Sequence, residues 1–200
     1  SITIYCEEKI MANKDAPFGF RAVGKLGSDI NNSGTSKYKI VAGESDVIFK
    51  GDVVQLETSG CITVSGNTTT TNIGVFNGCF YNDPTTQKPT WSNYYPGGIT
   101  PTVGEIDAFV YDDPNMLFEV QANGTIAQTA VGDNCDQVYA AGSTINGQSK
   151  SELGSVAGGT AQFRVVRICE DPDNSDIASA NSNWIVRFNE HLYYNNAAGI

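Results

Sequence analysis

The chain is short of histidine, methionine, cations and long apolar runs. Its 200 residues hold one histidine, two methionines and 12 Lys plus Arg against 22 Asp plus Glu. A single histidine leaves most histidine-based catalytic and metal arrangements without their parts. That residue, His191, follows a strand-like run and is expected on the surface near the end of the chain. The net charge of −10 argues against nucleic acid as a partner, because phosphate binding needs clustered Lys and Arg. No stretch approaches the roughly 20 apolar residues of a membrane span. No basic segment followed by an apolar one opens the chain, so no signal peptide is expected. Five cysteines (Cys6, Cys61, Cys79, Cys135, Cys169) form an odd set with no Cys-x-x-Cys, which fits reduced thiols made in a cytoplasm.

What is abundant is turn and strand chemistry. Gly, Asn, Ser and Thr together make 71 of the 200 residues, accompanied by nine Tyr and nine Phe. Short apolar runs recur about every ten residues. They include Tyr38–Val41, Asp46–Lys50, Val53–Glu57, Cys61–Ser65, Ile73–Phe76, Ile106–Tyr111, Met116–Gln121, Gln162–Cys169 and Trp184–Phe188. Gly-containing turns separate many of them, and alternation such as Ile62/Val64 gives a strand one buried face. No window has a helical period beyond one turn at Asp176–Ala180. The expectation is an all-β fold, a β-barrel or β-sandwich with an extended N-terminal arm and long loops, which also admits two small tandem β modules. Residues 1–37 read as extension and arm, and residues 38–200 as the β domain, with an internal division placed near 85–104. That segment holds Pro89, Pro96 and Pro101 and reads as a long loop. Residues 132–160 also read as loop-rich. Met11-Ala12-Asn13-Lys14-Asp15 looks like an ordinary protein start, so residues 1–10 read as an upstream extension.

Three corners share one form: Tyr81-Asn82-Asp83-Pro84, Tyr111-Asp112-Asp113-Pro114 and Cys169-Glu170-Asp171-Pro172. Asp followed by Pro is good turn chemistry at the end of a strand, and repeated use of one turn explains the recurrence better than duplication.

No Gly-x-Ser-x-Gly, phosphate loop or dinucleotide fingerprint occurs. The carboxylate pairs Asp112/Asp113 and Glu170/Asp171 sit in turns beside Pro, where no enclosed cleft separates their pKa values. No catalytic residue and no cofactor are expected. Asp171, Asp173, Asn174 and Asp176 resemble part of a calcium loop but lack its central Gly and closing Glu, which leaves Asp171, Asp173 and Asp176 as a weak metal candidate. Asn31, Asn67 and Asn123 head glycosylation sequons that matter only for a secreted chain.

Charge is uneven. Residues 1–50 carry seven basic and six acidic groups, whereas residues 51–160 carry two basic groups against eleven acidic ones. A near-neutral first quarter with Phe18 and Phe20 beside Arg21 fits a surface that meets a partner or packs on its own domain. Trp91, Tyr94 and Tyr95 in the Pro-rich loop are the other partner-binding candidates, suited to packing or to sugar stacking.

The run Met11-Ala12-Asn13-Lys14-Asp15-Ala16-Pro17-Phe18-Gly19-Phe20-Arg21 resembles the opening of small virion structural proteins of marine, cyanophage-like tailed phages. So do Lys50–Leu56, Ile73–Gly78 and the closing Val186–His191. The order "strand, Gly-Asp, strand, Gly turn, strand, loop, Ile-Gly-Val" is similar to phage capsid decoration, or cement, proteins. The resemblance runs from Met11 to the C-terminus. It implies a homo-oligomer, a trimer being favoured, that binds the major capsid protein from outside and staples the shell. Localisation in the virion after synthesis in the host cytoplasm follows. A tail or fibre component and a carbohydrate-binding β domain remain open beside it.

Overall fold

The computed structural model describes residues 12–27 and 34–194. The turn expected at Asn31–Gly34 falls largely outside them, as do residues 1–10. Twelve strands form two antiparallel six-stranded sheets. The first sheet holds β1 (Arg21–Lys25), β8 (Met116–Gln121), β9 (Asn134–Val138), β10 (Glu152–Ala157), β11 (Phe163–Ile168) and β12 (Asn183–Phe188), in the spatial order β1-β8-β12-β11-β9-β10. The second holds β2 (Ser36–Ile40), β3 (Val53–Leu56), β4 (Ile62–Val64), β5 (Asn72–Asn82), β6 (Pro89–Ser92) and β7 (Ile106–Tyr111), in the order β2-β7-β5-β3-β4 with β6 also on β5. Neither sheet closes into a barrel among the described residues, and the pair makes a sandwich.

Each sheet supplies most of one apolar cluster. In the first, Phe118, Phe163, Trp184, Val186 and Phe188 are fully buried. Leu153 bridges to Ala122, which draws the β10 edge back towards β8. In the second, Ile106, Ala108 and Val110 point inward with Phe76, Ile48 and Tyr95, while the alternate residues Asp107, Phe109 and Tyr111 point out. Val53 and Val75 of the second sheet join the first cluster. A polar clamp also holds the sheets together. Gln137 Nε2 donates to Ser65 O (2.8 Å) and Gln162 Nε2 to Gly66 O (2.9 Å), gripping the turn between β4 and β5.

The chain passes from the second sheet to the first at residues 112–115, while residues 85–104 lie within the second sheet's run. That Pro-rich segment contains an edge strand, β6, which begins at Pro89, where a missing N–H costs no interior ladder bond. Residues 132–160, read as loops, supply β9 and β10. Their strand signal is weak because Asn134-Cys135-Asp136-Gln137-Val138 is mostly polar. The reverse holds for Asp46–Lys50, a strong apolar run that makes only isolated bridges, Ile48 to Tyr95 and Lys50 to Gln148. The segment at 176–180 closes as a hydrogen-bonded turn on Asp176, and a short 3₁₀ turn occurs at Gln128–Ala130.

The three Asp-Pro corners prove to be one device. Each terminates a strand (β5, β7 or β11), and each Asp carboxylate accepts the N–H two residues on. The bonds are Thr85 N to Asp83 (2.8 Å), Asn115 N to Asp113 (2.8 Å) and Asp173 N to Asp171 (3.1 Å). Backbone N–H groups of Thr86 and Thr85 hold the Asp83 carboxyl below its ordinary range.

The arm is part of the domain. Asn13 Nδ2 donates to Asp176 O (2.7 Å) and Ala180 O (2.8 Å), and Asn174 Nδ2 to Lys14 O (2.8 Å). Ala16 N–H donates to Gln121 Oε1 (2.9 Å). Residues 21–25, expected as irregular arm, form β1 on the edge of the first sheet.

Candidate functional site

The second sheet's outer face carries a cluster of exposed aromatic surface. Trp91 on β6 lies directly across from Phe80 on β5, and both are well exposed, at 54% and 40%. The Trp91 ring covers Gly78, where a Cβ atom would come within 2.7 Å of Cζ2. Its ring also tilts against Phe109 of β7, with centroids 5.1 Å apart. The register explains the grouping: Gly78 pairs with Phe109, so the absence of a side chain on β5 lets the indole and phenyl rings meet above it. At the flank, Asp107 is engaged by Lys37 Nζ (3.0 Å) and Lys39 Nζ (2.5 Å). The patch is therefore apolar, with a charge-compensated border.

Two residues further along β7, Tyr111 leads into a cleft of about 460 Å³ at the junction of the sheets. Its lining includes Phe18, Arg21 and Ala22 from the arm, Val75, Asn77 and Tyr111 from β5 and β7, and Lys50, Asn146 and Gln148. Arg21 stands with its guanidinium carbon 4.8 Å from the centre of the Phe18 ring, and Nη2 donates to Glu119 Oε2 at 2.6 Å. Gln148 Nε2 donates to Phe18 O (2.6 Å) and Phe20 N–H to Gly51 O (2.9 Å), which fixes the arm along the cleft. Gly19 permits this path. It has φ +73°, and a Cβ there would sit 2.5 Å from Ser149 Cβ.

The six partner-binding candidates thus divide. Trp91 lies on the exposed strip, and Phe18 and Arg21 line the cleft. Phe20 and Tyr95 are core residues, 2% and 0% exposed. Phe20 stacks on Phe163 at 4.4 Å, and the Tyr95 hydroxyl donates to Glu44 O (3.0 Å) and accepts from Ile99 N (3.2 Å). Tyr94 is half-buried against Phe49. Phe80, Phe109 and Tyr111 were not singled out from sequence. The alternation of Ile106, Ala108 and Val110 with Asp107, Phe109 and Tyr111 carries the signal: it turns Phe109 away from the second cluster and Tyr111 against the first.

His191 is a correction of another kind. It is buried, not on the surface. Its Nε2 lies 2.9 Å from Ile73 O and its Nδ1 accepts from Tyr193 N (3.2 Å), which assigns a neutral Nε2–H tautomer. Burial holds its pKa below the usual value.

The carboxylate pairs are occupied structurally. Asp112 accepts from Ser36 Oγ (2.9 Å) and the Tyr38 hydroxyl (2.8 Å). Partial burial pushes the Asp113 carboxyl up, but the Lys25 ammonium and Asn115 N–H outweigh it and hold the pKa low. At the calcium candidate, Asp171 accepts from Asp173 N and Asn183 Nδ2, and Asp176 from Ala178 N and Ser179 Oγ. Among the described residues no group of three acidic, cysteine or histidine side chains is arranged to hold a metal. The described cysteines are free thiols; burial pushes the Cys79 thiol up to about 12 and, chiefly, the Cys135 thiol to about 11. No described helix is long and apolar enough to cross a membrane. Compared with known proteins, the chain matches no family model, no curated sequence and no solved structure.

Proposed function

We propose that the chain is a non-enzymatic virion structural protein, a capsid decoration or cement protein that binds the outside of the shell and stabilises it. The observation that carries this reading is the Phe80–Trp91–Phe109 strip: three large aromatic side chains gathered on one sheet face, Phe80 and Trp91 exposed and Phe109 half-buried beneath the indole, on a chain of net charge −10. Rigid aromatics at the centre of a patch are the usual anchors of a protein interface. The resemblance at Met11–Arg21, Lys50–Leu56 and Val186–His191 directs the reading to a virion. Each copy adds buried area between capsid subunits, and repeated modest contacts sum through multivalency. Self-association, with a trimer favoured, belongs to the same proposal. A sugar-binding groove between Trp91 and Tyr95 is less well supported, because Tyr95 is inside the core.

The test is co-sedimentation of the purified protein with capsids lacking it. Trp91→Ala is expected to weaken binding about thirtyfold or more, the loss typical of an anchor residue. Its unfolding free energy should change by only about 1 kcal/mol, since Trp91 is half exposed. Equal binding by wild type and Trp91→Ala, or binding to glycan beads with none to capsids, overturns the reading.

A further inference from the structure

We infer that the cleft beside β1 binds an extended, acidic segment of the partner protein, which pairs with the free edge of β1. This inference deepens the proposed function and rests on it for the identity of the partner. Three features of the cleft support it.

The first is an open strand edge. β1 is the terminal strand of its sheet. Arg21 faces Glu119 across the β1–β8 ladder, whereas Phe20 N–H turns the other way, to Gly51 O. Backbone groups two residues apart point the same way along a regular strand, so Ala22, the last residue before the bulge that interrupts β1 between Ala22 and Gly24, turns its N–H to the same side as that of Phe20, and Ala22 lines the cleft. An edge bordering a cavity is the geometry of strand addition, in which main-chain bonds give affinity and alternate side chains give specificity.

The second is charge. No Asp or Glu lines the cleft among the described residues, although acidic residues outnumber basic ones 22 to 12 in the chain, while Arg21 and Lys50 both line it. The nearby carboxylates are already committed. Glu119 is buried and accepts from Arg21 and from Asn183 Nδ2 (3.2 Å), which orients the guanidinium. Asp52 lies beneath Gly51 and accepts from Ser149 Oγ and Phe49 N–H. The Arg21 side chain remains 60% exposed, and Lys50 has no ion-pair partner among the described residues. A carboxylate side chain on an incoming strand would meet both cations.

The third is size and lining. About 460 Å³ suits a few residues of an extended chain. Phe18 and Ala22, both partly exposed, offer apolar contact to side chains that point inward, while Asn77, Asn146 and Gln148 offer amides to the segment's own backbone.

The experiment is selection from a randomised peptide library on the immobilised full-length protein. Recovered peptides should be enriched in Asp or Glu at alternate positions between apolar residues. The best of them should slow amide hydrogen exchange at Ala22, and its binding should weaken about tenfold in Lys50→Glu. Lys88→Glu, the same charge change on the exposed turn before β6, should bind as wild type does. The inference is overturned if acidic peptides are not enriched, if Lys88→Glu loses as much as Lys50→Glu, if Ala22 exchange is unchanged, or if phosphate alone displaces the peptide at equal concentration. Capsid co-sedimentation on the same preparations separates the two proposals. Retained capsid binding with a failed selection removes the cleft alone, and loss of both removes the decoration reading as well.

Discussion

Replacing Phe20 by Ala is expected to lower the unfolding free energy by about 3–5 kcal/mol, the usual cost of deleting a buried phenyl ring. The residue lies in a segment that sequence alone presents as a detachable arm. It is nevertheless 2% exposed and packed on Phe163, which in turn contacts Phe188 at 4.7 Å. The aromatic row continues to Phe118, so the cavity left by Phe20→Ala would open into the centre of the first sheet's core. Little can collapse into it. On one side Gly19 and Gly51 hold the backbone in left-handed conformations, and on the other the β1–β8 ladder is fixed. Urea denaturation followed by tryptophan fluorescence gives the measurement, because Trp184 lies in the same cluster. A change below about 1 kcal/mol, typical of a surface position, would show that the arm is not docked as described. Deleting the arm up to Arg21 should therefore destabilise the domain.

The second large effect concerns Asp52. Its carboxylate is fully buried between the halves of the chain, accepting from Phe49 N–H (2.8 Å), Ser149 Oγ (2.5 Å) and Ser151 Oγ (3.4 Å). Burial raises its pKa to about 6 from 3.8, and the three donors only partly offset that push. The folded carboxyl thus titrates above its unfolded value. The associated stabilisation is complete below the unfolded value and is lost as pH rises through 6, amounting to about 3 kcal/mol between the two limits. Asp52→Asn is neutral throughout and keeps an acceptor for Phe49 N–H, so its stability should not carry this loss. Subtracting the variant's pH profile of unfolding free energy from that of wild type removes the contributions of Asp113, His191 and Glu190. The difference should fall from pH 4 to pH 7, and a flat or rising difference would refute the assignment. Asp52→Ala leaves Phe49 N–H and the Ser149 hydroxyl without their acceptor and should cost about 2–4 kcal/mol below pH 4, and less as the pH rises through 6, where wild type loses its own contribution.

The all-β class was legible because it depends on local signals: Gly turns, Asp-Pro corners, and alternation as in Ile106–Tyr111. β1, β9 and β10 were not. Arg21–Lys25 and Asn134–Val138 have few strand-favouring residues and become strands because partners elsewhere in the chain offer them a ladder. The same dependence explains the misplaced side chains. Phe20 and Tyr95 look like surface aromatics in Gly- and Pro-rich sequence, and only the packing of Phe163 and Ile48 around them makes them core. His191 looks like a tail residue until Ile73, on β5, supplies its acceptor. For the binding surface, Trp91 could be chosen from its loop, whereas its companions Phe80 and Phe109 depend on the pairing of β5 with β6 and β7.

The place of β1 in the first sheet has a consequence for synthesis. β1 leaves the ribosome well before its partner β8, because Arg21 pairs with Glu119, 98 residues later in the chain. At about 5–20 residues per second, some seconds pass before β8 can exist. During that interval all the strands of the second sheet are made and can assemble with one another, while Phe20 and the β1 edge wait unpaired. β1 therefore finds its place only after the strands of the second sheet have been made, and a nascent chain stalled before Met116 would present its unpaired edge to whatever is nearby.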